Sequence, residues 1–143
     1  MDTLVMTESR AEIQPELWVA DGPTAVAFYE RAFGAVVEHR VSGPDEVDVV
    51  AQLSVAGARF WVSTSSDDLH RFSPKSIGGA TGRVLLVVDD PESLLTAAVA
   101  AGATQTSPVA DEHGWRLGRL EDPFGHEWEV GRPLGEWPPA SAS

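Results

Sequence analysis

The sequence contains no cysteine among its 143 residues. Disulfide bonds and thiolate metal sites are therefore excluded, and any metal site would need histidine, aspartate, glutamate or glutamine ligands. A chain without cysteine also fits a reducing compartment, so we expect a cytoplasmic protein. The first ten residues, MDTLVMTESR, hold neither a basic region nor a sustained apolar run. They predict no signal peptide and no membrane span.

Basic residues are scarce: 10 lysines and arginines stand against 22 acidic residues, which gives a formal net charge of −12. This charge repels phosphate backbones and argues against nucleic-acid binding. A solubilising acidic surface is the favoured explanation of this excess, although a cationic partner is compatible with it. Five tryptophans are present. Tryptophan fills cores, but it also lines pockets for flat or cationic organic molecules, so we expect an organic small molecule as the partner.

An internal repeat organises the chain. The segments VADGPTAVAFYERAFGA (19–35) and VDDPESLLTAAVAAGA (88–103) share an Asp, a Pro at a helix start and a closing Gly-Ala. Asp suits the N-cap, Pro suits the first turn, and Gly34 or Gly102 can adopt the left-handed conformation that ends a helix. The repeat therefore predicts two equivalent helices.

Strand patterns surround each predicted helix, so that each half is interpreted as a βαβββ module. ARFWV (58–62) aligns with HEWEV (126–130) at the same 68-residue offset as FGA with AGA. We predict a single domain over 1–143, with a first module at 11–66, a linker at 67–82, a second module at 83–132 and a tail at 133–143. The predicted strands lie at 12–19, 36–41, 47–55, 58–63, 83–88, 104–108, 115–120 and 126–131.

A duplicated βαβββ unit with FYERAFGA after the first strand and DPFGHEWEV near the end resembles the vicinal oxygen chelate superfamily. That superfamily includes glyoxalase I, extradiol dioxygenases, fosfomycin-resistance proteins and bleomycin-binding proteins. AFYERAFGA, SPKSIGGATG and AAGAT are most similar to its PhnB-like branch. The resemblance implies an α+β fold in which two tandem βαβββ modules form curved mixed sheets around a cavity, and it implies a homodimer.

The resemblance also implies where metal ligands would lie. Metal-using members carry four ligands, on the first and last strand of each module, and these positions correspond to Gln14, Trp61, Arg83 and Glu129. Only Gln14 and Glu129 can coordinate a divalent ion, and the guanidinium of Arg83 would repel one. We therefore predict no metal cofactor and expect Glu129 to hydrogen-bond with Arg83. The alternative is zinc or nickel held by Gln14 and Glu129.

Strand alternation divides the side chains between two faces. An apolar face is predicted to pack under the helices, and it contains Ile13, Leu17, Val19, Phe60, Val62, Val84, Leu86, Trp128 and Val130. The opposite face is predicted to line the cavity and to bind the ligand. Its candidate residues are Gln14, Glu16, Trp18, Arg59, Trp61, Arg83, Arg116, Glu127 and Glu129.

Three functions are compatible with this pattern. The favoured one is a metal-free protein that binds and sequesters a small molecule, as bleomycin-resistance proteins of the superfamily do, because Trp61 and Arg83 replace ligands. The second is an enzyme, either a glyoxalase-like lyase or isomerase that uses a divalent metal on Gln14 and Glu129, or an acid-base catalyst that uses Glu127 or Glu129. The third is an accessory protein with a vestigial cavity.

Overall fold

The computed structural model of the protein describes residues 9–140. It contains two four-stranded sheets, and in each sheet the four strands of one module lie in the order first, fourth, third, second. In each sheet the first and last strands of the module pair in parallel and the other pairs are antiparallel. The α+β class and the two mixed sheets are thus confirmed. The elements are β1 Glu16–Val19, α1 Gly22–Phe33, β2 Val36–Ser42, β3 Val49–Val55, β4 Ala58–Thr64, α2 Pro74–Ile77, β5 Arg83–Val87, α3 Pro91–Ala101, β6 Thr104–Glu112, β7 Trp115–Glu121 and β8 Glu127–Pro133, with a short 3-10 turn at Asp67–Leu69.

The two long helices begin and end as the repeat predicts. Asp21 accepts a hydrogen bond from the Thr24 amide at 3.1 Å, and Asp90 accepts one from the Ser93 amide at the same distance. Gly34 follows α1 with a φ of 68°, a left-handed conformation that costs glycine little. Helix α1 packs on β3 and β4, α3 packs on the second sheet, and the two helices pack against each other.

Most of the predicted apolar face is buried under the helices. Val19, Val62 and Val130 are fully buried, and the rest of the predicted set except Ile13 and Val84 is at most 7% exposed. Val84 is partly buried against this core. Ile13 is a wrong prediction, since it is 96% exposed. The physical reason is that Pro15 has no N–H to donate to a ladder, so β1 begins only at Glu16.

Strands β2 to β8 lie within two residues of their predicted bounds, except that β6 ends four residues later than predicted. Strand β6 continues to Glu112, past Pro108, because it lies at the edge of its sheet, where a missing N–H is tolerated. Its pairing with β7 shifts register on both sides of Ser107. At the other end of the module, β8 runs to Pro133, one residue into the predicted tail.

A buried carboxylate joins the two modules. Asp122, in the turn between β7 and β8, is 2% exposed, and its Oδ1 accepts from the backbone amides of Phe124 and His126 at 2.9 and 3.0 Å. Its Oδ2 accepts from Trp128 Nε1 at 3.0 Å and from the hydroxyl of Tyr29 on α1. Burial, followed by the charge of Asp122, raises the pKa of Tyr29 well above its usual value. The neutral hydroxyl is therefore the form that the fold stabilises.

No helix within residues 9–140 is long and apolar enough to cross a membrane. Most of the segment that predicted the absence of a signal peptide, residues 1–8, lies outside the described residues. The cytoplasmic location stays a prediction.

Candidate functional site

Gln14 lies against the face of the first sheet that the helices leave uncovered, which we call the first polar face. Its Oε1 accepts hydrogen bonds from Trp61 Nε1 at 2.7 Å and from Gln52 Nε2 at 2.9 Å. Gln52 and Trp61 are register partners on β3 and β4, so their N–H groups converge on one point. Because an amide oxygen has two lone pairs, both acceptor positions of this oxygen are occupied.

Glu16 and Trp18 occupy the same face further along β1. Glu16 Oε2 accepts from Trp18 Nε1 at 2.9 Å and from Ser63 Oγ at 3.0 Å. These contacts fix the indole and leave the second carboxylate oxygen without a hydrogen-bond partner among the described residues. Arg59, also predicted to bind ligand, instead forms a long 3.8 Å ion pair with Glu12 and is half exposed. Such a pair contributes little.

Glu129 is the centre of a charged network on the corresponding face of the second sheet, the second polar face. Its side chain is 19% exposed, and its Oε2 accepts from Arg119 Nε at 2.8 Å. Arg83 Nη2 lies 3.9 Å from Glu129 Oε2, which makes an ion pair but is too far for a hydrogen bond. The prediction of a hydrogen bond between Arg83 and Glu129 is therefore wrong. Arg119 also contacts Glu112 at 3.3 Å. The hydrogen bond with Glu129 is the main cause that raises the pKa of the Arg119 guanidinium.

Arg116 does not lie with the other predicted residues. In the β7–β8 register Arg119 faces Glu129, whereas Leu120 faces the core residue Trp128. Alternation therefore turns Arg116, which has the parity of Leu120, towards the helices. There it forms two hydrogen bonds with Asp111, at 2.8 and 3.2 Å, and an ion pair with Glu92 of α3 at 3.9 Å. The hydrogen bond from Arg116 is also the main cause that lowers the pKa of Asp111.

A cleft opens where the two modules meet, and we call it the seam cleft. It has a volume of about 460 Å³ and lies between β1, the start of β5 and the segment 72–82. His126 ties its two walls together, since its Nε2 lies 2.8 Å from the carbonyl oxygen of Trp18. Four predicted site residues line it, namely Glu16, Trp18, Arg83 and Glu127.

Comparison with known proteins identifies the family. Residues 16–131 match the glyoxalase-like domain. The chain belongs to the glyoxalase-like domain family. An uncharacterized protein of Mycobacterium tuberculosis is 34% identical over 139 residues, which cover 94% of this chain and 81% of that protein. TioX from a Micromonospora species has the same fold, with 26% identity, a TM-score of 0.68, and coverage of 87% of this chain and all of TioX.

The fold also matches the wider superfamily. A glyoxalase/bleomycin resistance protein/dioxygenase family enzyme from Burkholderia phytofirmans superposes with a TM-score of 0.63 at 18% identity, over 83% of this chain and 95% of that enzyme. The predicted membership of the vicinal oxygen chelate superfamily is therefore confirmed. The PhnB-like branch stays a prediction.

The residues of this glyoxalase-like domain do not fit a divalent metal ion. At the four family positions only Gln14 and Glu129 carry donor oxygens, and these residues lie on the polar faces of different sheets. The side-chain oxygen of Gln14 accepts hydrogen bonds from two N–H donors, and the carboxylate of Glu129 accepts one from Arg119. Across residues 9–140, no three histidine, aspartate or glutamate side chains come close enough to share an ion. Protein metal sites generally need three or more donors.

Sequence reasoning missed residues in two places in this domain. Arg119 could have been found by counting outward from the DPFG turn, because the hairpin register pairs Glu121 with Glu127 and hence Arg119 with Glu129. Phe72 and Ile77 line the seam cleft but were assigned to the linker. The only signal was that both are large apolar residues in a polar, glycine-containing segment.

Proposed function

We propose that this protein binds an organic small molecule without a metal ion and without transforming it. The observation that carries the proposal is the state of the two remaining family ligands. Gln14 Oε1 accepts two N–H donors, and the carboxylate of Glu129 faces two guanidinium groups. Cations and N–H donors therefore occupy the places where a metal ion would need free oxygen atoms.

The polar faces supply what a small-molecule site needs. Trp18 and Trp61 are partly exposed aromatic side chains, and both are oriented by hydrogen bonds from their indole nitrogens. Ligand sites combine such apolar walls with a few placed polar groups. Acid-base catalysis has less support, because Arg119 holds Glu129 and the side chain of Glu127 is exposed to solvent. Proton transfer in enzymes usually takes place in a site from which water is excluded.

The first prediction concerns metal content. Protein purified without chelators should contain zinc, nickel or manganese only in substoichiometric amounts, and titration with zinc or nickel should give no saturable heat. Elemental mass spectrometry and calorimetry measure these quantities. Native mass spectrometry of the same sample should reveal a bound organic molecule.

The double variant Gln14→Ala with Glu129→Ala is the matched control for metal content. A stoichiometric ion that the parent protein holds and this variant loses would overturn the proposal in favour of the metal-dependent lyase or isomerase. Conversion of the co-purified molecule by the protein would favour the enzyme as well.

The second prediction is a homodimer. Leu85 and Val87 project from the second polar face and are 45% and 52% exposed, which leaves apolar surface for a second copy to cover. Light scattering at micromolar concentration should give twice the 15.3 kDa chain mass. The variant Leu85→Asp with Val87→Asp should be monomeric, whereas Val99→Asp on α3, which is 42% exposed, should not change the mass. A monomeric parent protein would contradict the prediction.

A further inference from the structure

We infer that the seam cleft is the ligand site and that its ligand is an organic cation with a flat apolar body. This inference rests on the proposed function and adds the place and the chemical class of the ligand. The site includes the segment 72–82, which is outside the nine residues predicted from the sequence.

The walls of the seam cleft are largely apolar. Trp18 comes from β1, Leu17 and Val84 lie at its base, and Phe72 and Ile77 form its rim. Phe72 is 42% exposed and Ile77 is 55% exposed, so a bound molecule would remove their apolar surface from water. A volume of about 460 Å³ falls within the range of small-molecule sites.

Glycine makes room at the rim of the cleft. Gly79 and Gly82 both line it, and a side chain added at either position would meet no atom within 4 Å. No side chain at these two positions therefore narrows the rim of the cleft.

The charge of the seam cleft favours a cation. Arg83 lines the cleft, but its charge is balanced outside it. The guanidinium groups of Arg83 and Arg119 form ion pairs with the carboxylates of Glu129 and Glu112, so the charges of these four side chains cancel. This leaves two further carboxylates at the cleft. Glu16 accepts only neutral donors, and Glu127 has no side-chain hydrogen bond or ion pair within the part of the chain that the structure describes.

A cation would therefore find two carboxylates without a cationic partner beside two aromatic rings. Aromatic rings attract cations through the negative potential of their faces, so Trp18 and Phe72 add to the attraction of Glu127. The net charge of −12 also raises the local concentration of cations before contact. An anionic ligand would meet the opposite field.

The test uses three probes of one shape: N-methylquinolinium, its neutral isostere 1-methylnaphthalene, and the anion 1-naphthoate. Calorimetric titration of the full chain should show that the cation binds at least about threefold more tightly than the isostere. The anion should bind least. Added salt should weaken binding of the cation and leave the isostere unchanged, because only the charged probe is screened.

Two substitutions locate the site. Glu127→Gln should weaken the cation about threefold to tenfold without affecting the neutral probe. Phe72→Ala should weaken both probes. The matched controls are Glu30→Gln, an exposed carboxylate on α1, and Leu69→Ala, a 62% exposed apolar residue that lies outside the cleft. Neither control should change the affinity.

The outcomes separate this inference from the proposed function. Binding of the cation that neither Glu127→Gln nor Phe72→Ala weakens overturns the placement in the seam cleft. Equal affinity for the cation and its isostere, or binding of none of the three probes, overturns the ligand class. Neither result contradicts the proposed function, which is tested separately by the metal content, by native mass spectrometry for a bound organic molecule and by conversion of that molecule.

Discussion

Replacing Asp122 by alanine should lower the free energy of unfolding by about 4 kcal/mol. The carboxylate accepts hydrogen bonds from two backbone amides and from the side chains of Tyr29 and Trp128. The substitution leaves two buried side-chain donors and two part-buried amides without an acceptor, and each unpaired buried donor costs roughly 1–3 kcal/mol. Urea denaturation at pH 7, followed by circular dichroism, measures the loss.

Asp90→Ala is the matched control for this prediction. Asp90 caps α3 through a single amide and is solvent-exposed, so its loss should cost about 1 kcal/mol. If both substitutions cost the same, the buried carboxylate does not join the modules energetically. Asp122→Asn should fall between the two, because its amide oxygen still accepts while its NH₂ group opposes another donor.

Trp128→Ala should cost about 4 kcal/mol and destabilise both modules together. Trp128 is 1% exposed and its ring lies 4.8 Å from that of Phe33 and 5.6 Å from that of Phe60, both in the first module. Removing the indole leaves a cavity at the contact between the modules. Thermal unfolding should remain a single transition at a lower midpoint, because both halves pack against the same rings.

The control is another tryptophan. Trp137 is 52% exposed, and its ring meets that of Trp115 edge to face at a centroid distance of 5.4 Å. Trp137→Ala should change the free energy of unfolding by less than about 1 kcal/mol. A second transition in the Trp128→Ala variant, with one module surviving the other, would contradict the shared core.

The architecture was predictable because its signals are local and repeated. Helix caps such as Asp21 and Asp90 form hydrogen bonds with amides three residues away. Strand alternation places Val62 and Val130 in the core even when the neighbouring strands are unknown. The prediction failed for Ile13 because Pro15 delays the strand by removing a donor. It failed for Arg116 because the face of a residue depends on register, which the turn sets several residues away.

The site was less predictable because its contacts join distant parts of the chain. Resemblance pointed to Glu129 but not to Arg119, its hydrogen-bond partner in this chain. The turn chemistry of Asp122 was evident, whereas its contact with Tyr29, 93 residues earlier, depends on how the modules pack. Phe72 was missed because it lies in an irregular segment, and Ile77 because its helix, Pro74–Ile77, is too short to show a periodicity.

The packing of aromatic rings between the two modules has a consequence for the kinetics of ligand binding. Because Trp128 packs against Phe33 and Phe60, the halves cannot swing apart as the lobes of a hinged receptor do. The seam cleft is therefore preorganised, so little binding free energy is lost in closing it around a ligand. Association should therefore proceed in one bimolecular step, whose rate rises linearly with ligand concentration.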